Sequence, residues 1–433
     1  MKNKSFEIIE KAIKVFLLRI LGYFFGFLFI WLIATKYGAD SQGIYSIAFM
    51  FLLIGTMISK FGLETSLVKW VAKSTNIQEA SQYYWHSLRV ALGISVITAS
   101  ILFLLSGVIS KMYDMPDISS SIQVAALCIP LLTSLEIASN YFKGEKKTSF
   151  FAIYFHLGRF LFAVFFIFLL YNIKFENKVV PILSFAFGLM VVVLMTQIHL
   201  HLYFTKKKTK RPKSLTLVKT KSMMMHSYPM MISSSIVLFM GWSDVFILGF
   251  FVDEQEIGVY STAVKIATVL TFIYNAILTI VTPRIAELYY NNQKEELANT
   301  LYFSSMIIFL TGLPLFVLLL TFSDFFLSLF GEVYLTGSTV LRIILLGQFF
   351  NLITGAVGPF FQMTGRQQKL QQFIFIALLI NVSLSIILVH FYSTEGVAIG
   401  SAVGMAAWNV LGAFYLYREL RIKVWVHFRK FNK

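Results

Sequence analysis

Five basic side chains fall inside long apolar runs of this sequence: Arg19, Arg89, Arg159, Lys265 and Arg342. Only two acids share that setting, Glu136 and Asp244. An ionisable group at membrane depth costs on the order of 3 kcal/mol, so one that persists there meets a ligand, an ion or a partner. A surplus of cations selects an anion. Guanidinium groups suit phosphate in particular, because their planar donor fork can bind two oxygens at once. The expected cargo therefore carries phosphate or carboxylate. The two acids have a different use. A carboxyl in a low-dielectric site gains proton affinity or holds a cation, so Glu136 and Asp244 are candidates for coupling to an ion gradient, with His156 as a third titratable group. A salt bridge to a neighbouring cation is the alternative for both acids.

The five cations differ in depth. Arg159 lies near the middle of its run and shares a helical face with Ala152, His156 and Ala163, which places it in a polar cavity rather than at the water boundary. Lys265 follows, a third of the way into its run. Arg89 and Arg342 are close enough to run ends to snorkel. Arg19 shares a face with Gly22 and Gly26, a small-residue stripe that also reads as a helix contact. Farther along, Gln348, Asn351, Gly355, Gly358 and Gln362 form one stripe, with Pro359 beside it. Gln348, Asn351 and Gln362 are candidate contacts to sugar hydroxyls; interhelical hydrogen bonds are the alternative.

Other chemistries are excluded. The lone cysteine, Cys128, permits neither an intrachain disulfide nor a thiolate metal site. The seven histidines show no paired metal-ligand spacing, and no glycine-rich phosphate loop is present. No metal, cofactor or enzymatic activity is expected.

The elements that must position these groups are membrane helices. Hydrophobic residues make up 57% of the 433 and charged residues 13%, a balance suited to a lipid environment. Each crossing needs about 20 mostly apolar residues. Twelve such runs are expected: 15–34, 43–59, 88–109, 121–139, 150–170, 180–199, 230–250, 258–281, 302–322, 340–361, 373–391 and 397–417. The basic lead-in before the first run lacks a small-residue cleavage site, so that run is expected to be retained. With the N-terminus in the cytoplasm, 28 of the 37 Lys and Arg fall in inward segments and 4 in outward loops, which places both termini inside. That asymmetry accounts for the net charge of +16 without nucleic acid. The densest basic run, Lys206 to Lys213, is expected to anchor the middle loop at an anionic leaflet. The segment carrying Lys69, Trp70, Lys73, Trp85 and His86 is expected along the cytoplasmic interface.

The sequence also repeats. Gly43, Tyr45 and Ser46 open the second run, and Gly258, Tyr260 and Ser261 open the eighth. A six-span unit returns the chain to its starting side, so two such units make parallel repeats about an axis along the membrane normal. The expected fold is all-α and polytopic: two six-helix bundles, 1–205 and 223–433, related by a pseudo-two-fold axis and joined by a basic cytoplasmic linker, 206–222. This layout suits alternating access by a transporter rather than a channel.

Several segments carry a family resemblance: the opening through residues 36–46, the stretch 258–266, the turn Met363 to Arg366 and the stretch 395–400. They resemble bacterial polysaccharide repeat-unit flippases of the O-antigen type, within the multidrug/oligosaccharidyl-lipid/polysaccharide exporter superfamily. The resemblance implies two six-helix bundles around a cationic cavity in the bacterial cytoplasmic (inner) membrane. It also implies an undecaprenyl-diphosphate-linked oligosaccharide as cargo and transport powered by an ion gradient, with glycan polymerase and glycosyltransferases as partners. A multidrug exporter of the same superfamily fits the topology but calls for an acid-rich cavity. A peptidoglycan-precursor flippase calls for two additional helices. A glycan polymerase or ligase calls for a large outward catalytic loop, and the outward loops here are short.

Overall fold

The structure, a computed structural model, describes residues 2–175, 177–209 and 217–426, with side chains described from Ile13 and, in the last stretch, from Thr220. Lys210, Arg211 and Lys213 of the basic linker, and Arg429, Lys430 and Lys433 of the inward count, lie outside the described residues.

The described residues are almost entirely helical. It runs α1 (Lys2–Lys60), α2 (Leu63–Lys73), α3 (Ile77–Met112), α4 (Ile118–Gly144) and α5 (Thr148–Phe151), then a π-helical turn (Ala152–Gly158) into α6 (Arg159–Asn172). After α7 (Val180–Lys206) come α8 (Leu217–Leu248), α9 (Glu254–Ala267), α10 (Leu270–Tyr290), α11 (Lys294–Thr321) and α12 (Ser323–Ser328). A 3-10 turn (Glu332–Gly337) leads to α13 (Ser338–Thr354), α14 (Val357–Met363) and α15 (Gln367–Leu420).

Ten helices among the described residues are long and apolar enough to cross a membrane. Two of them are broken. Gly38 interrupts α1 at φ +83°, a conformation that glycine adopts without steric cost. Ser393 interrupts α15 at φ +47°. Each break divides one long helix into two crossings, at the positions expected between runs 15–34 and 43–59 and between 373–391 and 397–417. The described residues thus carry twelve. Their outer faces are apolar: Leu104 and Ile280 are each 79% exposed and Phe391 is 75% exposed, which only lipid can cover without penalty. This is a multi-pass membrane protein.

The helices group into two compact units, residues 1–238 with 253–258, and residues 239–252 with 259–433. In the first unit α1 packs on α3, α4 and α6, α3 on α4, and α7 on α4 and α6. Glycines set these distances. A Cβ on Gly188 of α7 would lie 2.6 Å from the Ala163 nitrogen of α6, so the two helices meet backbone to backbone. The short α2 buries Leu63, Glu64, Ser66, Leu67 and Val71, one face at helical spacing. Asn76 caps α3 by accepting from the Glu79 nitrogen at 2.9 Å.

In the second unit α13 packs on α15 and on α11, and α10 on α11. Past its break, α15 folds back on itself. Gly396 meets the backbone of Leu388, Gly400 meets Ser385, and a Cβ on Gly404 would lie 2.9 Å from Asn381. Three glycines at four-residue spacing thus let the two arms of α15 touch. Another interruption separates α13 from α14, at Gly355 with φ +59°. Pro359 therefore sits in the first turn of α14, where its missing N–H would be unpaired in any residue. The single stripe expected from Gln348 to Gln362 is divided at this point. Gln362 lies exposed on α14, apart from Gln348 and Asn351 on α13.

Candidate functional site

In the first unit a basic cluster forms where α1 and α4 meet the π-helical turn. That turn inserts an extra residue into the helical ladder just before Arg159, a device common at functional positions. It also alters the spacing that would have aligned Ala152, His156, Arg159 and Ala163 on one α-helical face. Opposite, α1 contributes Gly22 and Gly26. A Cβ on Gly22 would lie 2.6 Å from the His156 carbonyl oxygen, and one on Gly26 would lie 3.5 Å from the Phe160 ring. The glycine stripe is a helix contact, and it carries Arg19 to His156. Arg159, Arg19 and Lys143 all act electrostatically on His156.

Arg159 is held by aromatic rings rather than by an acid. Its guanidinium carbon lies 4.6 Å from the Phe155 ring centre and 4.9 Å from that of Phe160. Its Nε is buried without a hydrogen-bond partner among the described residues, as is the Nε of Arg19. Glu136 is the acid whose charge reaches Arg159, and Glu136 is already engaged. Lys60 donates to Glu136 Oε2 at 2.6 Å and lies 3.5 Å from Glu64 Oε1. Lys60 was not among the sequence candidates, because it ends its run rather than interrupting it. One ammonium here serves two buried carboxylates. Burial, the largest influence, raises the Glu64 carboxyl above the ordinary glutamate range, with Lys60 opposing and Glu136 adding to the rise.

The second unit holds a different arrangement around Asp244, which is 8% exposed. Ser401 donates to its Oδ1 at 2.6 Å and Tyr260 to its Oδ2 at 2.7 Å, while Ser243 donates to Oδ1 at 3.5 Å. Asn381 donates to Ser243 at 3.4 Å, and its Oδ1 accepts from Ser385 at 3.0 Å. Among the described residues no cation pairs with Asp244. The back-folded arms of α15 supply Asn381, Ser385 and Ser401, so the small-residue contact assembles this pocket of oxygens. Oxygen donors around one carboxylate suit a hard cation or a proton. No cluster of three His, Cys, Asp or Glu occurs among the described residues.

The remaining candidates are dispersed. Arg342 is exposed; its Nε donates to Ser323 at 2.8 Å and its Nη2 lies 3.2 Å from Asp324. Arg89 is partly exposed in the first half of α3, and Lys265 lies in the last turn of α9. Asn351 donates to Gln348 Oε1 at 2.8 Å, and Asn409 of α15 donates to Asn351 at 2.8 Å. Asn409 was legible only as one more amide in an apolar run.

Comparison with known proteins agrees with the helical architecture. Residues 8–289 match the family model described as "Polysaccharide biosynthesis protein", and residues 229–387 match the MatE model. The probable low-salt glycan biosynthesis flippase Agl15 of Haloferax volcanii is 23% identical over 419 residues, 96% of this chain and 85% of that protein. Among solved structures, the lipid II flippase MurJ in an inward closed conformation aligns with a TM-score of 0.75 at 15% identity, covering 94% of this chain and 87% of that one. An inward-facing multidrug resistance MATE family transporter of the MOP superfamily aligns with a TM-score of 0.74 at 13% identity, covering 95% and 98%.

Proposed function

Because this chain belongs to the polysaccharide biosynthesis protein family, we propose that it flips a lipid-linked oligosaccharide across the membrane, binding the carrier's phosphate at Arg159. The observation that carries this reading is a half-buried guanidinium beside two aromatic rings, with two further basic groups, Arg19 and Lys143, around His156, and with Glu136, the acid whose charge reaches it, already paired to Lys60. Contact with the two rings restricts the fork's rotamers, so less entropy is lost when phosphate oxygens bind. Arg19 and Lys143 add charge without adding geometry. The name of the Haloferax relative, a glycan biosynthesis flippase, supports the cargo class.

The finer reading is a repeat unit on undecaprenyl diphosphate, moved from the cytoplasmic to the outer leaflet of a bacterial cytoplasmic membrane by alternating access. Polymerase and glycosyltransferases would then act on either side of the step. Asp244 and its oxygen neighbours supply the coupling site, taking up a proton or a monovalent cation as the transporter cycles. The multidrug reading is disfavoured by the same cluster, since a cationic drug would be repelled by Arg19, Lys143 and Arg159.

The test is translocation of a fluorescent polyprenyl-diphosphate oligosaccharide in proteoliposomes. Arg159→Ala is expected to abolish transport, whereas Arg159→Lys, which keeps the charge and loses the fork, retains part of it. Full transport by the alanine variant at equal reconstitution would remove Arg159 from the site.

A further inference from the structure

The second unit contains a cavity of about 220 Å³ lined by Thr271, Tyr274, Asn275, Gln348, Asn351 and Trp408, with two leucines. No charged side chain lines it. Its polar lining is oriented by a relay whose direction can be worked out from one backbone atom. Asn409 donates to the Met405 carbonyl at 2.8 Å, and only an amide nitrogen can do so. The same nitrogen lies 2.8 Å from Asn351, so the Asn351 atom facing it is the oxygen. The Asn351 nitrogen then faces Gln348 at 2.8 Å, which makes the facing Gln348 atom its oxygen. The Gln348 NH₂ group is thereby turned away from the relay.

That NH₂ group has no partner among the described residues, although Gln348 is only 6% exposed. The Tyr274 hydroxyl, the Asn275 amide and the Trp408 indole N–H likewise have none there. Tyr274 and Trp408 are half-buried and Asn275 is exposed, so these polar groups face the open space of the cavity, where a ligand or water can pair with them. A pyranose ring combines the two surfaces this lining asks for: an edge of hydroxyls that both donate and accept, and an apolar C–H face that stacks on an indole. The cavity is smaller than the roughly 300–1,000 Å³ of drug-sized sites, which suits one ring rather than a chain.

We propose that this cavity is a binding subsite for one uncharged sugar ring, with Trp408 as its stacking platform and Gln348 as its principal donor. This rests on the flippase reading and adds to it: the ring is recognised within the second unit by neutral groups, separately from phosphate at Arg159. Hexuronic acids and amino sugars are disfavoured, because nothing in the lining compensates their charge.

The test uses the full chain in a sugar-free detergent and saturation-transfer NMR with methyl β-glucopyranoside, methyl β-galactopyranoside and glucuronic acid. Saturable transfer to ring C–H protons is expected from at least one neutral glycoside and not from glucuronic acid. Trp408→Leu and Gln348→Leu are each expected to weaken that binding about tenfold, the equivalent of 1.4 kcal/mol, while Trp408→Phe keeps most of it. Asn275→Leu, at an exposed position, provides a variant that does not disturb the buried relay and is expected to weaken binding severalfold. Parent-like titrations by Asn275→Leu and by every folded leucine variant, or equal transfer to glucuronic acid, would overturn the subsite. Translocation measured on the same preparations separates the two claims. If lipid-linked glycan crosses and the variants bind and transport like the parent, the subsite falls and the function stands. If glycosides bind as expected and no lipid-linked glycan crosses, the function falls and the subsite stands.

Discussion

Gly43 and Gly258, 215 positions apart in sequence, pack against each other backbone to backbone. A Cβ on Gly258 would overlap the Ala39 carbonyl oxygen and lie 3.0 Å from the Gly43 nitrogen, and one on Gly43 would overlap the Glu254 carbonyl oxygen. These are the two glycines that open the Gly-x-Tyr-Ser segments, and both lie in the first compact unit. Gly43→Ala or Gly258→Ala is expected to cost about 1–3 kcal/mol or more, because backbone rather than a side-chain tip must move. Gly93→Ala provides the control: it is exposed on α3 with nothing within 4 Å, so alanine there is neutral or slightly stabilising. Thermal unfolding of the solubilised protein, followed by size exclusion, separates the two classes.

The Lys60 pair is expected to behave as a buried charge network. Lys60→Met strands Glu136 and Glu64 together without a counter-charge and should cost about 3–5 kcal/mol. Adding Glu136→Leu and Glu64→Leu to it should recover most of the loss, since an apolar replacement of a whole network is often neutral. Failure of the triple variant to recover would show that the network does more than balance charge.

Glu64 also gives a pH dependence. Its carboxyl is raised in the fold, chiefly by burial, so the fold prefers it protonated. That contribution is complete below the ordinary glutamate value and is lost as the pH climbs through the raised one. The parent is therefore expected to lose thermal stability across this window relative to Glu64→Gln, whose side chain does not titrate. Parallel curves for the two proteins would contradict the raised value.

Much of this was legible in advance, and the exceptions have physical causes. Both helix breaks fall in polar gaps between apolar runs, so residues around Gly38 and Ser393 announce themselves by hydropathy. The break at Gly355 does not, because apolar residues continue across it and the nearby Pro359 draws the eye to the wrong position. The π-helical turn before Arg159 leaves no mark on a pattern of uniformly apolar residues, so the face shared by Ala152, His156 and Arg159 could be drawn only for an ideal α-helix. Asp244 was visible as a charge, but its partners were not. Ser401 and Asn381 are short polar residues of a kind common in apolar helices, and only the four-residue spacing of Gly396, Gly400 and Gly404 signals that the arms carrying them must meet.

Arg342→Ala is expected to leave transport unchanged and to cost less than about 1 kcal/mol. Its side chain is 46% exposed and already shared between Ser323 and Asp324, so it behaves as a surface ion pair with screened attraction. The contrast with Arg159→Ala tests whether a free fork, rather than positive charge anywhere in a span, is what the cargo reads. A transport defect in Arg342→Ala as deep as that of Arg159→Ala would show that the phosphate path extends to α13.

Asp244→Asn is expected to uncouple transport without dismantling the site. The amide keeps the carboxylate's shape, and its oxygen can still accept from Ser401 or Tyr260, but it holds neither a proton nor a formal charge. Its neighbours are hydroxyls and an amide with no paired cation among the described residues, so no stranded charge is left behind as in the Lys60 network. The variant should fold, bind polyprenyl diphosphate at Arg159 with unchanged affinity, and move it no faster under an imposed sodium or proton gradient than without one. Running the two gradients separately identifies the coupling ion, because only the one that drives the parent protein should lose its effect. If Asp244→Asn still responds fully to that gradient, the coupling carboxylate lies elsewhere, and Glu136 is the next to test. Glu136→Gln would then break the Lys60 contact and the gradient response together, whereas Asp244→Asn leaves that contact intact.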